Sequence, residues 1–318
     1  MKNKPILIVA GDPNSIFFEI LFKSYKYYKV KSPLIIIASK NLLETQIKKF
    51  RFKKKIRVID IQSLNKIKLD NKKINLIDVK INHKQTFKNN YIKNSFDTAF
   101  KLLKKGFTNK LINGPINKSE FLKKKYLGVT EYISKNFNVS RVAMLIYNKD
   151  LSVCPVTTHL PIKLVPKKIN QKLIKEKVMI IDKFFKKNNG YKPNIAVTGL
   201  NPHCETILNY NEDEKILIPT IESLKKKGFK IDGPFPADTI FLKQNREKYN
   251  VIIGMYHDQV LTPIKTIKEY DAINITLGLP FIRVSPDHGP NKKMIGKNLS
   301  NPTSLINSIK FLDKSDKS

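Results

Sequence analysis

Val251-Ile252-Ile253-Gly254-Met255-Tyr256-His257-Asp258-Gln259 is a short apolar run that ends abruptly in polar side chains. The run is rich in β-formers and short enough for a strand. Similar runs recur at Ile6 to Ala10, Leu34 to Ala38, Lys110 to Ile112, Leu151 to Thr157 and Ile195 to Thr198. Helical spacings lie between them. Phe96, Ala99, Phe100, Leu102 and Leu103 share one face, with Gly106 placed to close that helix. Leu173, Ile174, Val178, Ile181 and Phe184 mark another helix from about Asn170 to Phe185. A third ends at Gly228, and Pro219 inside it reads as a break. Strands alternating with helices predict an α/β fold around a largely parallel sheet.

The 318 residues, 41% hydrophobic and 27% charged, suffice for a large core divided between two domains, although no compositional shift marks a boundary. The opening apolar run is too short for a signal peptide, no stretch reaches the length of a membrane span, and only Cys154 and Cys204 occur. Two cysteines in a chain of this length form no disulfide framework, so a reducing cytoplasm is the expected setting. The formal charge of +34 points toward a polyanion partner, but its distribution points away. Arginine, which reads bases through bidentate contacts, occurs only at positions 51, 57, 141, 246 and 283. The excess is dispersed lysine with no nucleic-acid motif, the pattern of solvated faces. No nucleic-acid or membrane partner is expected, while a positive field favours an anionic substrate.

In open parallel sheets ligands bind beyond the carboxyl ends of the strands. The segments at those ends are Gly11-Asp12-Pro13, Asn113-Gly114-Pro115-Ile116-Asn117-Lys118, Thr157-Thr158-His159, Gly199-Leu200-Asn201-Pro202-His203 and Tyr256-His257-Asp258-Gln259. Three of the five histidines, His159, His203 and His257, therefore occupy equivalent topological positions. Each taken alone is accounted for by capping a strand or satisfying a loop carbonyl. Together they form a candidate metal set, because three neutral imidazoles bind a divalent ion and leave positions open for substrate oxygens. Asp258 either orients a neighbouring ligand, handles a proton or stabilises its turn. Cys204 reads as a metal neighbour or a small filler.

No Gly-x-Gly pair, Walker A sequence or Gly-x-Ser-x-Gly elbow occurs, so a dinucleotide would bind without the usual Rossmann fingerprint and serine hydrolysis has no anchor. Lys118, Lys265 and Arg283 are candidate anion holders, in loop-like contexts. The turn Ser285-Pro286-Asp287-His288-Gly289 either touches a cofactor or stabilises a loop.

The strand-end segments, together with Gly233-Pro234-Phe235-Pro236-Ala237-Asp238-Thr239 and the stretch from Asn274 to Arg283, resemble the 4-hydroxythreonine-4-phosphate dehydrogenase (PdxA) family of pyridoxal phosphate biosynthesis, in family order over nearly the whole chain. The resemblance implies a two-domain α/β/α fold like that of isocitrate and isopropylmalate dehydrogenases, with the active site in the interdomain cleft of a homodimer that shares it. It implies a cofactor-side domain of residues 1–127 plus 270–318 and a metal, substrate and dimerisation domain of residues 128–269. The family's metal ligands fall on His159, His203 and His257, and its substrate contacts on Thr130, Lys265, Asn274 and Arg283. Asp287, His288 and Gly289 match the nucleotide-contacting loop, and Lys118 and Asp258 are candidate proton carriers. The implied reaction is oxidation of 4-phosphohydroxy-L-threonine by NAD or NADP with one divalent ion, zinc, magnesium or cobalt.

This chain departs from the family at three places. Val129 stands where the family has a substrate-contacting histidine, and valine cannot replace its hydrogen bonds. The first loop lacks glycines near Ser15 and Phe17, and Pro290-Asn291 follows Gly289. These differences motivate two alternatives: a sister dehydrogenase of threonate or erythronate 4-phosphate, and a basic binding protein that has lost the chemistry.

Overall fold

The structure, a computed structural model, describes residues 3–81, 88–122, 125–206, 210–286 and 289–314. Among them run twelve strands: β1 (Ile6–Val9), β2 (Leu34–Ala38), β3 (Ile56–Val58), β4 (Ile74–Asp78), β5 (Lys110–Asn113), β6 (Ala143–Tyr147), β7 (Ser152–Pro155), β8 (Ile195–Thr198), β9 (Ile231–Phe235), β10 (Val251–Gly254), β11 (Ile273–Leu277) and β12 (Ile282–Pro286). Two compact units emerge, one from residues up to Lys125 and from Pro280 onward, the other Tyr126–Leu279.

In the first unit the order is β3-β4-β2-β1-β5-β12, and every neighbouring pair is parallel. Parallel neighbours need long crossovers, here supplied by helices such as Phe17–Tyr27 and Lys88–Lys104. Every residue of β1 and β2 is buried, the consequence of a parallel sheet covered on both faces. The first loop closes by local means. Asp12 Oδ1 accepts from Asn14 N at 2.8 Å, Ser15 Oγ donates to Asp12 O at 2.7 Å, and Phe17 lies in the core.

The second unit has the order β11-β6-β7-β10-β8-β9. Here β6 runs against both its neighbours while the other pairs are parallel. The reversal follows from the short turn between β6 and β7, too brief for a crossover and held by Asp150 N donating to Asn148 Oδ1 at 3.0 Å. Because β11 pairs with β6 along its whole length, residues 273–277 belong to this unit. The first unit therefore resumes at Pro280, later than the 270 expected from sequence.

The expected helices form, with altered ends. The second runs Gln171–Asn189, capped by the Asn170 side chain and closed by Gly190 at φ 79°, one turn beyond Phe185. Pro219 does not break the third helix. It sits in the first turn of Ile218–Lys226, where its missing N–H costs nothing, after a π-helical turn at Asp213–Leu217.

The helix His257–Lys268 packs Val260, Leu261 and Ile264 onto Val153, Ala196 and Ile252 of β7, β8 and β10. Each buried aliphatic side chain contributes roughly 1.5–3 kcal/mol, enough to fix where the helix begins and so where His257 stands. Several lysines meet acids one helical turn away, as in Lys40–Glu44, Lys93–Asp97 and Lys186–Asp182, which fits solvated faces. No helix among the described residues is long and apolar enough to cross a membrane.

Candidate functional site

In the second unit β10 lies between β7 and β8, so the segments carrying His159, His257 and His203 leave neighbouring strand ends on the same side. The β7–β10 ladder continues toward the site. Val156 N donates to Gly254 O at 2.7 Å, and Thr157 donates to Met255 O from both its amide (3.1 Å) and its hydroxyl (2.7 Å). These bonds carry the two strands in step almost to the histidines, and the His159 and His257 ring centroids stand 5.9 Å apart at 40°.

His257 is the first residue of its helix, and its Nδ1 lies 2.6 Å from Asp258 Oδ1. A carboxylate there holds the proton on Nδ1 and leaves Nε2 as the free donor atom, the usual state of a metal-ligating imidazole. His159 is set from the other side by Gly128. A Cβ at that position would lie 2.9 Å from His159 Cε1 and 2.7 Å from Glu131 Oε2. Gly128→Ala is therefore expected to displace the imidazole and lower kcat/KM on the order of 10²-fold with an unchanged far-ultraviolet dichroism spectrum. Full activity in that variant would show that the ring's position is not used.

His203 is held differently. It is exposed, and both His203 (φ 57°) and Cys204 (φ 64°) adopt left-handed backbone that costs on the order of 1–2 kcal/mol per non-glycine residue. The turn is anchored by Asp213, which is fully buried and accepts from Leu200 N at 2.7 Å, Asn201 N at 3.0 Å and Asn201 Nδ2 at 2.9 Å. Gly199 admits this packing, since a Cβ there would sit 2.7 Å from Cys204 Sγ. Burial, reinforced by the charge of Asp213, pushes the Cys204 thiol up to about 11. It stays protonated at neutral pH.

Two imidazoles thus face each other and suit a divalent ion in chemistry. The three histidines do not gather as one set within the chain: among the described residues no group of three or more His, Cys, Asp or Glu is placed to hold a metal.

Thr130 lies in the helix Val129–Asn136, its hydroxyl 3.4 Å from that of Thr276 on β11. Asn274 is on the same strand, two residues from Thr276 and so on the same face. Its Oδ1 is buried without a hydrogen-bond donor among the described residues. Lys265 is exposed in the helix that His257 begins. Arg283 belongs to the first unit, where it is 3% exposed on β12 and its Nε donates to Asn113 Oδ1 at 2.7 Å. Lys118 opens the helix Lys118–Leu122 of that unit. Gly289 is exposed, whereas Asp287 and His288 lie outside the described residues.

Asp213 and Gly128 hold the His203 turn and the His159 ring in ways that sequence reasoning did not single out.

Residues 29–312 fit the family described as pyridoxal phosphate biosynthetic protein PdxA. A 4-hydroxythreonine-4-phosphate dehydrogenase from Sulfurihydrogenibium sp. (strain YO3AOP1) is 36% identical over 96% of each chain. A D-threonate 4-phosphate dehydrogenase from Pectobacterium atrosepticum is 30% identical over 97% of this chain and 98% of its own. The crystal structure of 4-hydroxythreonine-4-phosphate dehydrogenase from Klebsiella pneumoniae superposes with a TM-score of 0.83 at 27% identity, covering 99% of this chain and all of that one. With the fold and a match spanning nearly the full sequence in agreement, this chain is an oxidoreductase belonging to the PdxA family.

Proposed function

We propose that the chain oxidises 4-phosphohydroxy-L-threonine with NAD or NADP, in a divalent-metal-dependent reaction that feeds pyridoxal phosphate synthesis. The observation that carries the proposal is the facing pair His159 and His257 at adjacent strand ends, with Asp258 on the Nδ1 of His257. These imidazoles, with His203, would hold the ion. When bound, such an ion supplies Lewis acidity, easing loss of the hydroxyl proton and stabilising the charge released on decarboxylation.

Lys265 and Arg283 anchor the anionic ends of the substrate, the lysine as a point charge and the arginine as a planar fork already braced by Asn113. Thr130 and Asn274 orient its polar groups, and the substrate gives the buried Oδ1 of Asn274 a donor that none of the described residues supplies. Lys118 or Asp258 takes the hydroxyl proton as the C3 hydride passes to the nicotinamide, which Asp287, His288 and Gly289 help to hold. The product, 2-amino-3-oxo-4-phosphooxybutanoate, carries a carboxylate β to a ketone and loses CO2 to give 3-amino-2-oxopropyl phosphate.

A homodimer with a shared active site is part of the proposal. Among its described residues one chain brings two imidazoles face to face without assembling three donors, and a second copy would complete the set. Both cysteines are free thiols, in keeping with a cytoplasmic enzyme.

Val129 favours a second reading. It is buried at the start of its helix, so that position presents no polar group, and a relative is named for D-threonate 4-phosphate. The decisive assay follows nicotinamide absorbance with both substrates and both cofactors, with and without chelator. The expected result is chelator-sensitive reduction with the higher kcat/KM on 4-phosphohydroxy-L-threonine. A preference for the threonate selects the second reading, and no turnover on either substrate rejects both.

A further inference from the structure

The backbone pairing of β8 with β10 stops at Val197 and Ile253. Beyond it the chains part, one into the loop that carries His203 and the other into Tyr256 and His257. A single side chain spans the gap. Gln259 Oε1 accepts from Met255 N at 2.7 Å and from Thr198 Oγ1 at 2.8 Å, while its Nε2 donates to Gly199 O at 2.7 Å. The amide takes up the pairing where the ladder ends, and Gly199 is itself tied onward by its N–H to Phe235 O on β9. With Thr157 bound to Met255 on the opposite side, the ends of β7, β10, β8 and β9 form one connected rim.

We infer that Gln259 is a positioning residue that fixes where the His203 and His257 loops leave the sheet and thereby where each imidazole is presented to the donor set, whichever copy completes it; this rests on the proposed reading of those histidines as ligands. Its chemistry suits the task. A carboxamide offers acceptor and donor at one tip, whereas glutamate would turn a second oxygen toward the carbonyl of Gly199 and leucine would offer neither. Gln259 touches neither ion nor substrate in this scheme. It acts through Met255 and Gly199, on the path to His257 and His203.

The test titrates cobalt(II) alone into the full-length wild type, Gln259→Glu and Gln259→Leu, following the visible absorption bands. Folding of each variant is checked by circular dichroism. Both variants are expected to bind cobalt(II) about 10–100-fold more weakly, with altered band position or intensity, and to lose more in kcat than they change in KM. Wild-type affinity with a wild-type spectrum in both would overturn the inference. Thr198→Val, which removes one of the three bonds, keeps the question answerable if the larger changes prevent folding, and is expected to show the same spectral change in smaller degree. If wild type shows no cobalt bands and His257→Ala behaves identically, the ligand reading fails by itself. Amide hydrogen exchange then judges Gln259 independently. Faster exchange at Met255 and through residues 199–204 in Gln259→Leu supports its role, and unchanged protection there overturns it.

Discussion

Replacing His257 by alanine is expected to lower kcat/KM by about 10³-fold or more, a loss of several kcal/mol of transition-state stabilisation. The residue sits where three local constraints converge. The apolar face of its helix is pinned to the sheet, its strand end is bonded to that of β7, and its Nδ1 is held by Asp258 at 2.6 Å. Alanine removes the donor while leaving all of that packing in place, so stability should change little. Asp258→Asn keeps an oxygen to accept from Nδ1 but removes the charge, and a smaller loss of about 10–100-fold is expected. Parallel measurements of nicotinamide reduction and cobalt(II) binding decide the matter. A His257→Ala enzyme with near wild-type turnover and metal affinity would remove the centre of the functional proposal.

The largest effect on stability is expected at Asp213. Its carboxylate is fully buried and accepts three hydrogen bonds from the loop that leads to His203. Alanine would leave the amides of Leu200 and Asn201 without their acceptor, and each buried unsatisfied donor costs roughly 1–3 kcal/mol. A loss of roughly 3 kcal/mol is expected, seen as a fall of roughly 6–12 °C in the thermal midpoint. Activity should fall as well, because the left-handed turn at His203 and Cys204 would no longer be held against its backbone strain. Asp213→Asn should be milder, since one carbonyl oxygen remains. Calorimetry of the two variants beside wild type tests the ordering. Equal midpoints for Ala and wild type would mean that solvent replaces the carboxylate and the loop is not anchored here.

The histidine positions were legible because strand ends in a parallel sheet are predictable from short apolar runs, and polar residues there cannot be serving the core. The clamps were not. Asp213 lies in an acidic, polar stretch with nothing locally to mark it as buried, and its partners come earlier in the chain, at Leu200 and Asn201. Gly128 matters because the His159 ring and the Glu131 carboxylate pack against it. Several strands also escaped notice. β3 is brief, β4 carries the buried Asn75 whose amide bonds Leu34 O, β9 contains Asp232, Gly233 and Pro234, and β11 alternates Asn274 and Thr276 with isoleucines. In β4 the polar residue that spoils the local pattern is accommodated by a distant partner, and in β9 by a sheet-edge position.

The amino-acid pattern alone determined the α/β class, the main helices and which histidines end strands, because these depend on side-chain spacing over a few residues. The three-dimensional fold decided the reversal of β6, the pairing that keeps β11 in the second unit, and which two imidazoles face each other. Those outcomes turn on hydrogen-bond register and on contacts between remote segments, whose free energy exists only once the sheet has brought them together.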